Sequence, residues 1–330
     1  STANLSIVLV DARNGVSEQS RRHTYISALL GTPHIVVAIN KMDLVDWSEE
    51  RFLEIREEFE SFLPKLDVLH DVKFIPISAL NGDNVVTTSD KTPWYQGPAL
   101  LGHLETVHIA SDWNLGAFRM PVQWVNRPEN PRDQEMHDFR GFSGQIAGGI
   151  VKKGDPVMVL PSGFRSHVKD IWTYDGSLDE AFCPQSVTLL LEDDIDISRG
   201  DMIVGMEDFP GVSSDLCGKV CWMHPKPLQK GEKYFLKHGT QTVQAMITSL
   251  EYKVDIQTFD PIEDAEELVL NEIGEIKIRT SKPIAFDAYA QNRLTGSFIL
   301  MEQGTNHTVA AGMLGAPARA YDPEFMDYTI

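Results

Sequence analysis

Residues 34–47 read HIVVAINKMDLVDW. An apolar run rich in Val and Ile passes directly into Asn40, Lys41, Met42 and Asp43. A short continuous apolar run of this kind predicts a strand buried on both faces, as in a parallel sheet covered by helices. Such sheets bind ligands beyond the C-terminal ends of their strands. The stretch therefore delivers an amide, an ammonium and a carboxylate together at the place where a ligand is expected.

The flanking sequence has the same character. LSIVLVD (5–11) and KFIPIS (73–78) predict two more buried strands. Between the three lie two helical patterns. Residues 17–30, SEQSRRHTYISALL, stop at Gly31, a good helix C-cap. Residues 48–63 open on Ser48, a candidate N-cap, with Glu49 and Glu50 in the first turn where the helix dipole favours them. Phe52, Ile55, Phe59 and Phe62 form one apolar stripe there, and Pro64 follows. Strands alternating with helices predict an α/β domain with parallel strands. Three strands and two helices are few for such a domain. The first residues, STANLSIVLV, lack an initiator Met and enter a strand at once, so the expectation is that the chain begins mid-domain. It contains no Gly-x-x-x-x-Gly-Lys-[Ser/Thr] phosphate loop.

Past residue 113 the period changes. Short alternating segments at 119–125, 144–151, 155–160, 166–173, 185–191 and 201–205 are punctuated by glycines. A second set follows at 218–223, 232–238, 241–252, 273–280, 297–302 and 307–313. Many short strands with Gly-rich turns predict barrels or sandwiches. The expected organisation is a partial α/β domain at 1–112, β-barrels at 113–214 and 215–314 joined near 210–217, and a tail or linker at 315–330.

Composition narrows the function classes. Among 330 residues, 29 Lys and Arg stand against 48 Asp and Glu, a net charge of −19, which disfavours bulk binding to nucleic acid. No run reaches the length of a membrane span, and the N-terminus lacks the basic start of a secretory signal. Three cysteines, an odd and sparse count, fit a reducing cytoplasm rather than a disulfide scaffold. No metal site is expected. Cys217, Cys221 and His224 lack a fourth ligand. Asp193, Asp194 and Asp196 match no calcium-loop spacing and read as a solvated acidic loop. Arg199-Gly200-Asp201 reads as a turn before a strand, and His23 as a surface residue.

The strand-end residues match one base in chemical detail. Guanine presents N1–H and an exocyclic amine side by side, and the two oxygens of Asp43 can accept both. Adenine lacks that donor pair and would leave the carboxylate unpaired, a mismatch that sites reject strongly. The Asn40 amide can bond the other edge of the ring and pin the loop, and the Lys41 stem can lie over its face. A second element follows the third strand, ISALNGDN at 77–84. There Ser78 holds the loop, the Ala79 backbone N–H is placed to donate to guanine O6, and Leu80 completes the tripeptide. Two such elements at consecutive strand ends point to guanine recognition.

The residues also carry a resemblance. LSIVLVDARNGVSEQSRRHTYISALLGTPHIVVAINKMDLVDW resembles translational GTPases of the elongation-factor type, and within them the GTPase subunit of bacterial sulfate adenylyltransferase. TPWYQGPALLGHLETV (92–107), FRMPVQWVNRP (118–128), DFRGFSGQIAGGIVKKGDPVMVLPSG (138–163), EDDIDISRGDMIV (192–204) and NEIGEIKIRTSKPIAFDAY (271–289) are similar to that subunit. The resemblance reaches about residue 314. It implies the C-terminal part of a P-loop GTPase domain followed by two elongation-factor-like β-barrels. It further implies GTP as ligand, Mg2+ held by residues that precede this sequence, and a small catalytic subunit as partner. That subunit makes adenylylsulfate and pyrophosphate from ATP and sulfate, and GTP hydrolysis drives the uphill step. The family's phosphate loop, magnesium Ser/Thr and Asp-x-Pro-Gly-His segment are not in this sequence. No catalytic residue is therefore assigned, and the chain alone is expected to be inactive. The alternatives are a translation factor of elongation-factor type and a non-enzymatic docking module.

Overall fold

A computed structural model describes residues 3–66, 71–108, 114–127 and 139–322. It comprises two compact units, Ser1–Ser111 with Val254–Pro261, and Asp112–Lys253 with Ile262–Ile330.

The first unit is built on three parallel strands, β1 (Leu5–Asp11), β2 (His34–Asn40) and β3 (Asp71–Pro76), in the order β1-β2-β3. Central β2 is sealed on both faces, and Val36, Val37, Ala38 and Ile39 are fully buried. The register pairs Asp11 with Asn40 and Ile39 with Pro76, so the three C-terminal ends form one ledge. Helices α1 (Glu18–Leu29), α2 (Glu49–Phe62) and α3 (Leu100–Thr106) accompany the sheet. Ser17 Oγ accepts from the Ser20 N–H at 3.1 Å and Ser48 Oγ from the Arg51 N–H at 3.2 Å, satisfying donors that a helix start leaves open. Gly31 follows α1 at φ +64°, the left-handed C-cap conformation glycine takes without strain. Phe52, Ile55, Phe59 and Phe62 are all buried. The periodicity of 100–106 is too short to predict α3, whose two turns depend on tertiary contacts.

Segment Val254–Pro261 lies within the second all-β stretch in sequence but packs with the first unit. Phe259 stacks on Tyr25 with centroids 5.3 Å apart and meets Phe62 edge-on at 5.5 Å. Lys65 Nζ donates to Thr258 O at 2.8 Å.

The second unit holds two β-barrels. In the first, the sheet begins at Arg119–Pro121 and ends at Trp124–Asn126, with 202–205, 156–160, 164–173, 186–191 and 141–145 between. Its two ends are consecutive pieces of one chain segment, so the sheet closes on itself and removes its edges. The glycine run expected to supply turns has two roles. Gly149 and Gly154, at φ +74° and +86°, do turn the chain. Gly144 instead lies within a strand, where a Cβ would come 2.5 Å from Pro121 O. The expected strand 144–151 is accordingly split into Gly141–Gln145 and Ile150–Lys152.

The second barrel closes directly. Lys233–His238, Ser297–Glu302, Thr308–Leu314, Gly211–Trp222, Ile273–Phe286 and Gln241–Val254 follow in order, and the last pairs back with the first. Trp222, Leu236, Ile276 and Leu300 fill its interior. The join expected near 210–217 is largely strand, because Gly211–Ser213 pairs with Ile284–Phe286. Residues 315–322 carry no regular secondary structure but are not a loose tail. Tyr321 is buried among Met158, Leu160 and Met202, and its N–H donates to Pro210 O at 2.9 Å.

Between the barrels Arg119 is buried and forks onto Asp287, with Nη2–Oδ1 at 3.0 Å and Nε–Oδ2 at 3.1 Å. Thr295 Oγ1 donates to Asp287 Oδ2 at 2.6 Å, and Arg119 Nη1 reaches Asp208 O at 3.0 Å. Among the described residues no helix is long and apolar enough to cross a membrane.

Candidate functional site

The ledge at the strand ends is built in layers. Met42, the residue between Lys41 and Asp43, is fully buried and its N–H donates to Ile77 O at 3.2 Å. This plug ties the loop after β2 to the loop after β3. Asn40 Oδ1 accepts from the Lys41 N–H at 2.8 Å and the Ala79 N–H at 2.9 Å. Both partners are donors, so the amide oxygen must face them and the NH2 group points away. Lys41 sits at φ +65°, a left-handed conformation that costs a non-glycine residue about 1 kcal/mol. The backbone then enters a 3-10 turn, Met42–Val45, which carries Asp43 half-buried. Among the described residues no donor is bonded to the Asp43 carboxylate.

The second loop is fastened from below. Ser78 is fully buried, its N–H donates to Asp83 O at 3.1 Å, and its Oγ accepts from the Asn81 N–H at 3.3 Å. Asn84, also buried, donates to Pro76 O at 2.8 Å and Thr92 Oγ1 at 2.9 Å and accepts from the Ser89 N–H at 2.7 Å. Above these anchors Ala79 and Leu80 lie at the surface, Leu80 at 90% exposure. The expected role of Ala79 is modified by this geometry. Its N–H is taken up by Asn40, so in this structure it clasps the two loops together rather than standing open.

Asn40, Lys41, Asp43, Ser78, Ala79 and Leu80 are thus brought to one ledge. Two residues absent from the sequence reading join them. Lys41 Nζ lies 2.8 Å from Asp11 Oδ2, and Arg13 grips the same carboxylate through Nη2 at 2.8 Å and Nε at 3.1 Å. The Arg13 hydrogen bonds, with a smaller contribution from Lys41, hold the Asp11 carboxyl well below the usual carboxylate range. The signal in the sequence was positional: Asp11 ends a strand that is parallel to and paired with the one Asn40 ends. Arg51 braces this corner from α2, donating from Nε to Ala12 O at 2.8 Å.

Other sequence candidates do not assemble. Cys217 Sγ faces Glu275 at 3.5 Å, and burial with that carboxylate pushes its thiol up to about 11. His224 Nδ1 takes the Lys226 N–H at 3.2 Å. Asp194 and Asp196 pair with Arg140 at 2.5 and 3.3 Å, so this acidic loop is held by a cation of the protein. Gly200, at φ +103°, turns the chain into Met202–Gly205. The strand-end ledge offers hydrogen-bond donors and acceptors for a flat polar ligand. Among the described residues it brings together no nucleophile with an adjacent base.

A covered parallel sheet with a loaded strand-end ledge, followed by two β-barrels, defines a class: the translational-GTPase superfamily. The elongation factor Tu GTP binding domain model matches residues 1–111, and the GTP-eEF1A C-terminal domain-like model matches residues 216–315. The solved structure of sup35 complexed with GMPPNP shares the fold, with a TM-score of 0.57 over 96% of this chain and 79% of that one at 24% identity. Sulfate adenylyltransferase subunit 1 of Bacteroides fragilis is 51% identical over 314 residues, covering 95% of this chain and 64% of that protein. The bifunctional enzyme CysN/CysC of Rhodopirellula baltica is 52% identical over 95% of this chain and 47% of its own length. The Alteromonas mediterranea subunit 1 is 44% identical over all of this chain and 69% of its own. The chain belongs to the sulfate adenylyltransferase subunit 1 family. It spans about half to two thirds of the length of most of these relatives.

Proposed function

We propose that the protein is the GTP-binding subunit of a cytoplasmic sulfate adenylyltransferase. It would couple GTP hydrolysis to formation of adenylylsulfate and pyrophosphate from ATP and sulfate. One observation supports guanine as the base: the clasp of Asn40 Oδ1 by the Lys41 and Ala79 N–H groups turns the amide NH2 away from both, and the Asp43 carboxylate on the same loop has no protein donor among the described residues. The two-oxygen acceptor complements the N1–H and amine edge of guanine, and the amide donor complements the acceptors on its other edge. The family relationship supports the rest. Asn40, Asp43 and Ala79 would read and frame the base, Lys41 would cover its face, and Ser78 and Leu80 would shape the loop. The division at 1–112, 113–214, 215–314 and 315–330 belongs to the same proposal, as does a small catalytic subunit as partner in place of nucleic acid.

Magnesium does not fit these residues. Among the described residues no three of His, Cys, Asp and Glu gather as a metal site, and Asp11 is already held by Arg13 and Lys41. Base contacts act alike on ground and transition states, so they bind without accelerating chemistry. Residues 1–330 alone should bind guanine nucleotide weakly and not turn it over.

The test is pyrophosphate release from ATP and sulfate by the purified complex of the full gene product with its small subunit. Release that requires GTP, and that fails with ATP or UTP in its place, is expected. Equal rates with and without GTP would refute the coupling role. The relation to translation factors is one of fold, and retention of bulk RNA at physiological salt would be needed to revive that reading.

A further inference from the structure

We propose that Asp11 is a positioning residue of the base site, acting through Lys41; the inference rests on the base-site reading above. Its carboxylate tethers the Lys41 ammonium, so that the lysine stem spans the ends of β2 and β1 as a preformed platform for one face of the base.

The geometry argues for a tether rather than a casual pair. Asp11 is held independently of Lys41, because Arg13 binds it through the backbone N–H at 3.0 Å, Nε at 3.1 Å and Nη2 at 2.8 Å. The loop that carries Arg13 is itself braced, since Arg51 donates to Ala12 O at 2.8 Å and to Arg13 O at 3.4 Å. A Cβ on Gly15 would come within 3.0 Å of Arg51 Nη2, so the brace packs directly on the turn. Lys41 is the member that the tether would position. Its backbone is pinned by Asn40, and its Nζ lies 2.8 Å from Asp11 Oδ2.

Stability does not explain the arrangement. The lysine side chain is 44% exposed, and exposed ion pairs add little to folding. A long side chain that must lie flat under a ligand loses rotamer freedom on binding, and a tether formed beforehand removes that loss. The carboxylate also separates two cations. Without it Lys41 and Arg13 repel, and the ammonium swings to solvent.

The test titrates the chain with guanosine, inosine and xanthosine by ligand-detected NMR, so that only base and ribose are read. Asp11→Asn should weaken guanosine by about three- to tenfold, the scale of immobilising one rotamer-rich side chain on binding. It should leave the guanosine-to-inosine ratio unchanged, because Asp43 reads the amine. Asp11→Glu should recover part of the loss. Lys41→Met should weaken guanosine on its own to a similar degree, and Asp11→Asn added to it should cost nothing more. Wild-type guanosine affinity in Asp11→Asn would overturn the inference and leave the base site standing. An undiminished effect of Asp11→Asn in the Lys41→Met background would overturn it too, showing a scaffold role. If the wild-type chain binds none of the three nucleosides, the base-site reading fails and the inference with it. Should Asp11→Asn not fold, Asp11→Ser in the wild-type and Lys41→Met backgrounds decides by the same comparison.

Discussion

In the proposed base site, base choice turns on Asp43. In the proposed site its carboxylate accepts from N1–H and the amine together, a charge-assisted pair. Asp43→Asn should lower GTP affinity by roughly 2–4 kcal/mol and favour xanthine nucleotide, whose carbonyl can accept from the new amide. A competition assay in which the variant holds GTP as tightly as the wild type would end the assignment. His238 makes a different residue-scale prediction. It is buried in the second barrel, with Nδ1 2.8 Å from Ser297 O and Nε2 3.1 Å from Ala285 O. Burial outweighs both carbonyls and pushes its pKa below the ordinary value of 6.5. The neutral ring therefore contributes stability above about pH 6.5, and that stability is lost as pH falls through the lower folded value. Thermal melts from pH 8 to pH 5 should show a decline that His238→Gln flattens. Parallel slopes for the two proteins would show that His238 does not set the acid sensitivity.

At the scale of elements, the contact between the barrels includes a buried ion pair. Arg119 and Asp287 have side chains 2% and 9% exposed, and each satisfies the other with two hydrogen bonds. Removing one partner strands a buried charge, which costs about 3–5 kcal/mol. Asp287→Asn should show that loss in urea unfolding followed by tryptophan fluorescence. Asp208 also touches Arg119, but its side chain is 68% exposed. Asp208→Asn should change stability by less than about 1 kcal/mol. Equal effects of the two variants would mean that the buried fork adds no more to the barrel contact than the exposed pair does.

At the scale of the molecule, the second unit has its own cores. Trp222, Leu236 and Ile276 fill one barrel, and Phe142, Ile171 and Ile203 fill the other. Residues 114–322 should therefore fold without the first unit, giving a cooperative thermal transition and the circular dichroism of an all-β protein. Non-cooperative melting of that fragment would show that segment 254–261, deprived of Tyr25 and Phe62, is needed for its integrity.

Much of this was legible in the sequence because the signals are local. A fully apolar run means a two-face strand, a phenylalanine stripe means a helix face, and the order strand–helix–strand means parallel pairing. Asn40, Lys41 and Asp43 were found because they follow such a run, and Ser78, Ala79 and Leu80 because they follow the next. What only the tertiary structure decided joins residues far apart in the chain. Asp11 meets Lys41 because two parallel strands end in register, and Asn40 meets Ala79 because neighbouring loops cross above Met42. Arg119 meets Asp287 because two barrels pack, and Tyr321 is buried by a surface that no periodicity in its own segment announces. Local periodicity encodes which face of an element avoids water. It carries no record of which distant polar group will satisfy a buried or tethered charge, and that pairing appears only when the chain has closed.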